Sequence, residues 1–135
     1  MSTGNELADL ADESDSKAEW RNWDTNRPIL RGALEAQGYE VVDLGIVRDS
    51  LDAHIQALST GLEQADIFVS TGGSSMGTSD HIRPMLKEMN ATVLFGRVKV
   101  KPGKPAIFAQ VPYKSGEGSK PFFGLPGNPA SALVT

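Results

Sequence analysis

One stretch constrains the fold more than any other: Ile67 to Asp80, Ile-Phe-Val-Ser-Thr-Gly-Gly-Ser-Ser-Met-Gly-Thr-Ser-Asp. It opens on Ile67-Phe68-Val69, an apolar run with β-branched and aromatic content, which reads as a buried strand. It breaks at Gly72-Gly73, where the backbone is free to turn left-handed or to approach a ligand closely. Ile82, Met85, Leu86 and Met89 then recur at helical spacing. A glycine-rich turn between strand and helix sits at the carboxyl end of the strand and directs N–H groups at what lies there, often an anion. The same glycines also suit a βα turn with no ligand.

The rest of the chain is read around that unit. Asp24-Thr25-Asn26-Arg27-Pro28 reads as a helix start, with Thr25 or Asn26 as cap, and Gly38 as its left-handed end. Leu30, Ala33 and Leu34 are expected to face the core. Tyr39 to Leu44 is predicted as a strand and Gly45 to Ser50 as the turn after it. Leu51, Ile55, Leu58 and Leu62 make one helical stripe, with His54 beside it at the surface or its boundary. Val93 to Lys101 and Ala106 to Val111, joined by Pro102-Gly103-Lys104-Pro105, read as an antiparallel hairpin. Phe122 to Leu125 is a short strand running into Pro126-Gly127-Asn128-Pro129 and the start of a helix. Strands alternate with helices through residue 90, which predicts an α/β sandwich with a mainly parallel sheet and one antiparallel element. Residues 8–23 are read as a polar acidic loop whose end Trp20 and Trp23 pin to the body.

Composition excludes several classes. The formal net charge of -4 carries no basic footprint for nucleic acid. The chain has no cysteine, so disulfides, thiolate metal sites and thiol catalysis are ruled out. No apolar run approaches membrane-spanning length, and a cytoplasmic location is the expectation.

Four turns follow predicted strands: Ser2 to Glu6, Gly45 to Asp49, Thr71 to Asp80, and Pro126 to Ser131. In an open parallel sheet they gather at one edge, where ligands bind. Three carry carboxylates, Glu6, Asp49 and Asp80, whose mutual repulsion a hard cation such as Mg²⁺ would relieve. Each acid taken alone also reads as a helix cap or a solvated group. Arg97, Lys99 and Lys101 share one face of the predicted strand, either as a phosphate grip or as a solvated edge. No dinucleotide or P-loop glycine signature is present, and the two histidines, His54 and His81, form no credible Ser-His-Asp set.

Six ordered segments carry a resemblance: Ser-Thr-Gly-Asn-Glu-Leu (2–7), Asp-Thr-Asn-Arg (24–27), Asp-Leu-Gly-Ile-Val-Arg-Asp (43–49), Ser-Thr-Gly-Gly-Ser-Ser-Met-Gly-Thr-Ser-Asp (70–80), Lys-Pro-Gly-Lys-Pro (101–105) and Leu-Pro-Gly-Asn-Pro-Ala-Ser-Ala (125–132). Together they resemble the molybdopterin molybdenumtransferase family, of the MoeA and gephyrin E-domain type. The resemblance implies a molybdopterin-binding domain with a three-layer α/β/α fold. It implies an enzyme that inserts molybdate into adenylylated molybdopterin with release of AMP, assisted by a divalent cation. Carried over by motif position, Glu6, Asp49 and Asp80 are the expected catalytic and cation-binding acids. Arg97 and Lys101 are expected to hold phosphate or molybdate. Gly72, Gly73, Ser74 and Ser75, with Pro126, Gly127, Asn128, Pro129 and Ser131, are expected to cradle the pterin phosphate. The family pattern departs at Ser74, at Thr78-Ser79 and across 8–23, where Trp23 stands in place of a tyrosine. Family enzymes are homodimers with a site shared between subunits. The other readings are a molybdopterin adenylyltransferase of the MogA or gephyrin G-domain type and a non-catalytic scaffold. The apolar strand expected before Ser-Thr-Gly-Asn-Glu is lacking, as is the rest of the last helix, so the 135-residue chain alone is expected to be unstable and inactive.

Overall fold

The computed structural model describes residues 1–11, 20–73, 80–114 and 118–135. Its elements in chain order are β1 (Ser2–Thr3), β2 (Leu7–Ala8), β3 (Asn22–Trp23), α1 (Asn26–Ala36), β4 (Ile46–Val47), α2 (Leu51–Gln64), β5 (Phe68–Thr71), α3 (Ile82–Glu88), β6 (Thr92–Phe95), β7 (Ile107–Pro112), β8 (Ser119–Leu125) and α4 (Pro129–Val134). Six strands form one sheet in the order β4-β1-β5-β8-β7-β6. The β4/β1, β1/β5 and β5/β8 pairs are parallel, and β8/β7 and β7/β6 are antiparallel. The fold is therefore α/β with a mixed, largely parallel sheet, as the alternation of elements predicts.

The layers follow from handedness. The crossover from β1 through α1 moves outward to β4, and the one through α2 returns past β1 to β5. Right-handed crossovers in opposite directions put α1 and α2 on opposite faces. Accordingly α2 packs with α3 and α1 packs with α4. The main core lies under α2 and α3. Leu58, Leu62, Ile82, Met85 and Leu86 close on Phe68, Ile107, Ala109, Val111 and Phe122 of the sheet. Each large side chain buried there stabilises the fold by about 1.5–3 kcal/mol. The period-2 pattern Ile107, Ala109, Val111 is buried, whereas Phe108 and Gln110 on the other face are half-buried.

Several expectations are corrected. No strand forms over 39–44; the ladder is Ile46–Val47, because β4 has β1 as its neighbour and pairs only with Ser2 and Thr3. The predicted strand 93–101 ends at Phe95, after a register shift between Val93 and Phe95, so Arg97, Lys99 and Lys101 do not share a strand face. Beyond it the chain bends back on itself, with Val98 N donating to Lys104 O at 3.0 Å. Helix α1 keeps Leu30 and Leu34 half-buried, but Ala33 is exposed, since α1 is packed chiefly at one end. His54 is 1% exposed: its Nδ1 lies 2.8 Å from Ser50 O and its ring packs against His81. Trp20 and Trp23 are exposed and pin nothing. The ends of the 8–23 segment are held by backbone instead, as β2 and β3 pair in parallel. Asn22 N donates to Glu6 O and Asp24 N to Ala8 O.

Candidate functional site

The strands β4, β1, β5 and β8 run parallel, so the turns after them reach one edge of the sheet. The chain reverses its direction of travel across the sheet between β1 and β5, and ligands favour that switch point. A cavity of ≈ 210 Å³ opens there, lined by Thr3, Glu6, Leu7, Asn26, Thr71, Gly72, Gly73, Pro105 and Gly127.

The turns that build it are tightly specified. Gly72 adopts φ +83, and a Cβ there would come within 2.7 Å of Thr3 O. Gly127 lies against it, its notional Cβ 3.5 Å from Gly72 Cα. Asn26 Nδ2 donates to Gly127 O at 2.8 Å and so ties the start of α1 to the turn after β8. Asn128 caps α4, its side chain accepting from Ser131 N, with Pro129 opening the helix.

Of the expected site residues, Glu6, Gly72, Gly73 and Gly127 line the cavity. Pro126, Asn128, Pro129 and Ser131 shape the turn and helix start beside it without lining it. Ser74 and Ser75 lie outside the described residues. Gly72 N–H is donated to Leu125 O, so it is committed to the sheet rather than to a phosphate. Asp49 is an internal brace: its carboxylate accepts from Asn5 N at 3.1 Å while Asp49 N donates to Asn5 Oδ1 at 3.1 Å. Asp80 accepts from Ile82 N at 3.1 Å, where it begins α3. Arg97 and Lys101 are exposed on the 96–106 loop, which reaches the cavity through Pro105. Among the described residues no group of three or more Asp, Glu or His side chains is placed to hold a metal ion. Of the three expected cation ligands, Asp49 accepts from Asn5 N and one Asp80 oxygen from Ile82 N, while Asp80 Oδ2 is buried with no hydrogen-bond partner among the described residues.

Asp80 is nevertheless unusual. Burial pushes its carboxyl above its ordinary value of 3.8, against the opposing pull of the Ile82 N–H, Arg83 and the two histidines. The folded state therefore holds the proton more tightly than the unfolded state. The contribution of Asp80 to stability is greatest below 3.8 and declines as pH rises through the raised folded value. Asp80→Asn keeps an oxygen for the Ile82 cap and is expected to abolish that decline. Melting temperatures of both proteins across about pH 3 to 7 check it, and parallel curves would refute it.

Residues that the motif reading left without a role form an ion-pair cluster at the start of α1, away from the cavity lining. Asp24 is 3% exposed; it accepts from Ser2 Oγ at 2.9 Å and from Arg27 Nη1 at 3.0 Å. Arg27 also pairs with Asp9 and Asp43. One guanidinium thus binds three carboxylates from three segments. The Asp-Thr-Asn-Arg run carried a signal for this, since a helix start seldom needs both a buried acid and a fork-shaped cation.

The family profile described as "Probable molybdopterin binding domain" matches residues 1–135. The chain belongs to the molybdopterin-binding domain family. The domain is 36% identical to the molybdopterin molybdenumtransferase of Haemophilus influenzae over 135 residues, 100% of this chain and 31% of that protein. It is 33% identical to the molybdenum cofactor synthesis protein cinnamon of Drosophila melanogaster, of which it covers 21%. Among solved structures, the molybdopterin biosynthesis MoeA protein of Pyrococcus horikoshii matches with TM-score 0.79 and 28% identity, over 98% of this chain and 30% of that one. The tungsten cofactor synthesizing protein MoaB of Pyrococcus furiosus shares the fold, with TM-score 0.66 and 19% identity over 98% of this chain and 86% of that one. The molybdopterin-binding domain thus spans less than a third of the curated relatives it matches. Among the described residues no helix is long and apolar enough to cross a membrane.

Proposed function

We propose that this domain binds molybdopterin within molybdenum cofactor biosynthesis. In this reading it forms part of a transferase that inserts molybdate into adenylylated molybdopterin and releases AMP. The observation that carries the reading is the cavity between the β1 and β5 turns, lined by the backbones of Gly72, Gly73 and Gly127. Glycine at these three positions keeps the wall free of side chains and leaves room for a flat ligand. The relatives' names support the transferase over an adenylyltransferase. Arg97 and Lys101 act as exposed positive charges that draw the anionic ligand toward the cavity mouth. In the same reading the protein works as a homodimer.

Calorimetric titration of the domain with molybdopterin tests the binding. Gly127→Val is expected to abolish it by filling the space beside Gly72, and undiminished binding by that variant would sink the reading. Lys101→Ala is expected to weaken the ligand by about 0.2–1 kcal/mol at low salt, the scale of an exposed charge pair, and by less at high salt. An affinity for Lys101→Ala equal to wild type at low salt returns Lys101 to the role of a solvated edge residue.

A further inference from the structure

One residue of the cavity lining carries a polar atom that no described residue uses. Asn26 is 9% exposed, it lines the cavity, and its Oδ1 has no hydrogen-bond partner among the described residues. The amide cannot simply be turned over. Gly127 O is an acceptor only, so the NH₂ group must face it, and that fixes Oδ1 as the free end. A buried acceptor left unpaired is costly, and such atoms call for an explanation, often a ligand.

The neighbours narrow what that ligand presents. Glu6 is a second acceptor on the cavity wall, and no Lys or Arg lines it among the described residues. Thr3 Oγ1 gives its hydrogen to Thr71 O, and Gly72 N–H is given to Leu125 O. The side-chain chemistry is therefore rich in acceptors, which disfavours a phosphate and suits a donor. Leu7 and Pro105 add apolar surface for a ring.

We propose that Asn26 Oδ1 is a specificity-determining acceptor that reads an N–H donor on the edge of a bound aminoheterocycle, with Glu6 lining the same cavity. This rests on the molybdopterin-binding reading above and assigns the cavity to the donor-bearing ring rather than to the phosphate. In a pterin that donor is the exocyclic 2-amino group.

The test uses the full chain and two probes, free pterin and lumazine, in which an oxo group replaces the 2-amino group. Wild type is expected to prefer pterin by about fivefold to tenfold, the worth of one neutral hydrogen bond. Asn26→Ala and Asn26→Asp both lose the bond to Gly127 O, but only Asn26→Ala loses the acceptor. The preference should fall to within about twofold in Asn26→Ala and persist in Asn26→Asp. Loss of the preference in both variants makes Asn26 a structural tie and overturns the inference, as does its retention in Asn26→Ala. The wild-type ratio needs no variant to fold. Pterin bound without preference over lumazine overturns the inference and leaves the functional reading standing. No binding of either probe overturns both.

Discussion

Arg27→Ala is expected to destabilise the domain by about 3–5 kcal/mol, the cost of removing one partner from a buried ion pair. Asp24 has a side chain only 1% exposed, and Arg27 Nη1 is its cationic contact at 3.0 Å. Without the guanidinium, Asp24 must stay charged and unpaired or take up a proton. Asp9 and Asp43, which also accept from Arg27, would then add repulsion. The three acids come from three segments: the end of β2, the approach to α1 and the approach to β4. Their shared cation therefore fastens the start of α1 across β1, where Asp24 also holds Ser2 Oγ. A domain is stable by only about 5–15 kcal/mol, so the loss would put much of the population near unfolding. Arg27→Lys keeps the charge but not the fork, and should fall between the two. Adding Asp24→Asn to Arg27→Ala should recover part of the loss, because it removes the stranded charge. Urea denaturation at neutral pH measures all four proteins. A loss below about 1 kcal/mol for Arg27→Ala would place the cluster with ordinary surface ion pairs.

Gly72→Ala is expected to cost about 2–4 kcal/mol and to abolish binding in the cavity. Two effects combine. A left-handed conformation costs an L-residue about 1–2 kcal/mol. The new Cβ would also lie 2.7 Å from Thr3 O and 2.9 Å from Thr3 Oγ1, and a backbone atom inside a sheet has little room to yield. Relief requires β1 to move away from β5, which deforms both walls of the cavity. Gly45→Ala separates the two effects. Its φ is +72, but nothing lies within 4 Å of the added carbon, so it should show the conformational cost alone. Thermal melts of the two variants should differ clearly. Equal losses would mean that the contact between the Gly72 turn and Thr3 is loose.

Much of the fold was legible because its signals are local. The stripe Leu51, Ile55, Leu58, Leu62 became α2, and Ser50 caps it through Ala53 N. Gly38 closes the region after α1 at φ +87, as a left-handed terminator should. The strand–turn–helix unit formed over β5 and α3, and the glycine pair between them faces the cavity. The misread parts depend on neighbours. Tyr39–Leu44 has strand propensity but no strand beside it, so no ladder forms. The alternation of Val98, Lys99, Val100 and Lys101 has the period of a strand, yet the chain bends at Gly96, whose carbonyl accepts from Arg83 Nη2.

The site divides in the same way. Residue order alone determined that the turns after β1, β4 and β5 would meet at one sheet edge, since parallel strands joined by right-handed crossovers put their ends there. The pairing of β8 beside β5 brings the fourth turn to them. It also marked Glu6, Gly72, Gly73 and Gly127, which do line the cavity. Only the tertiary structure decided which polar groups are left for a ligand. Asp49 and Gly72 N–H carry suitable chemistry in the sequence but are engaged in the fold by Asn5 and Leu125, and Asp80 accepts from Ile82 N–H through only one of its two oxygens. Asn26, read as a helix cap, lines the cavity, gives its NH₂ to a carbonyl 101 residues away and leaves its oxygen without a partner among the described residues. A hydrogen bond is a property of a pair, and residue type names only one of its members.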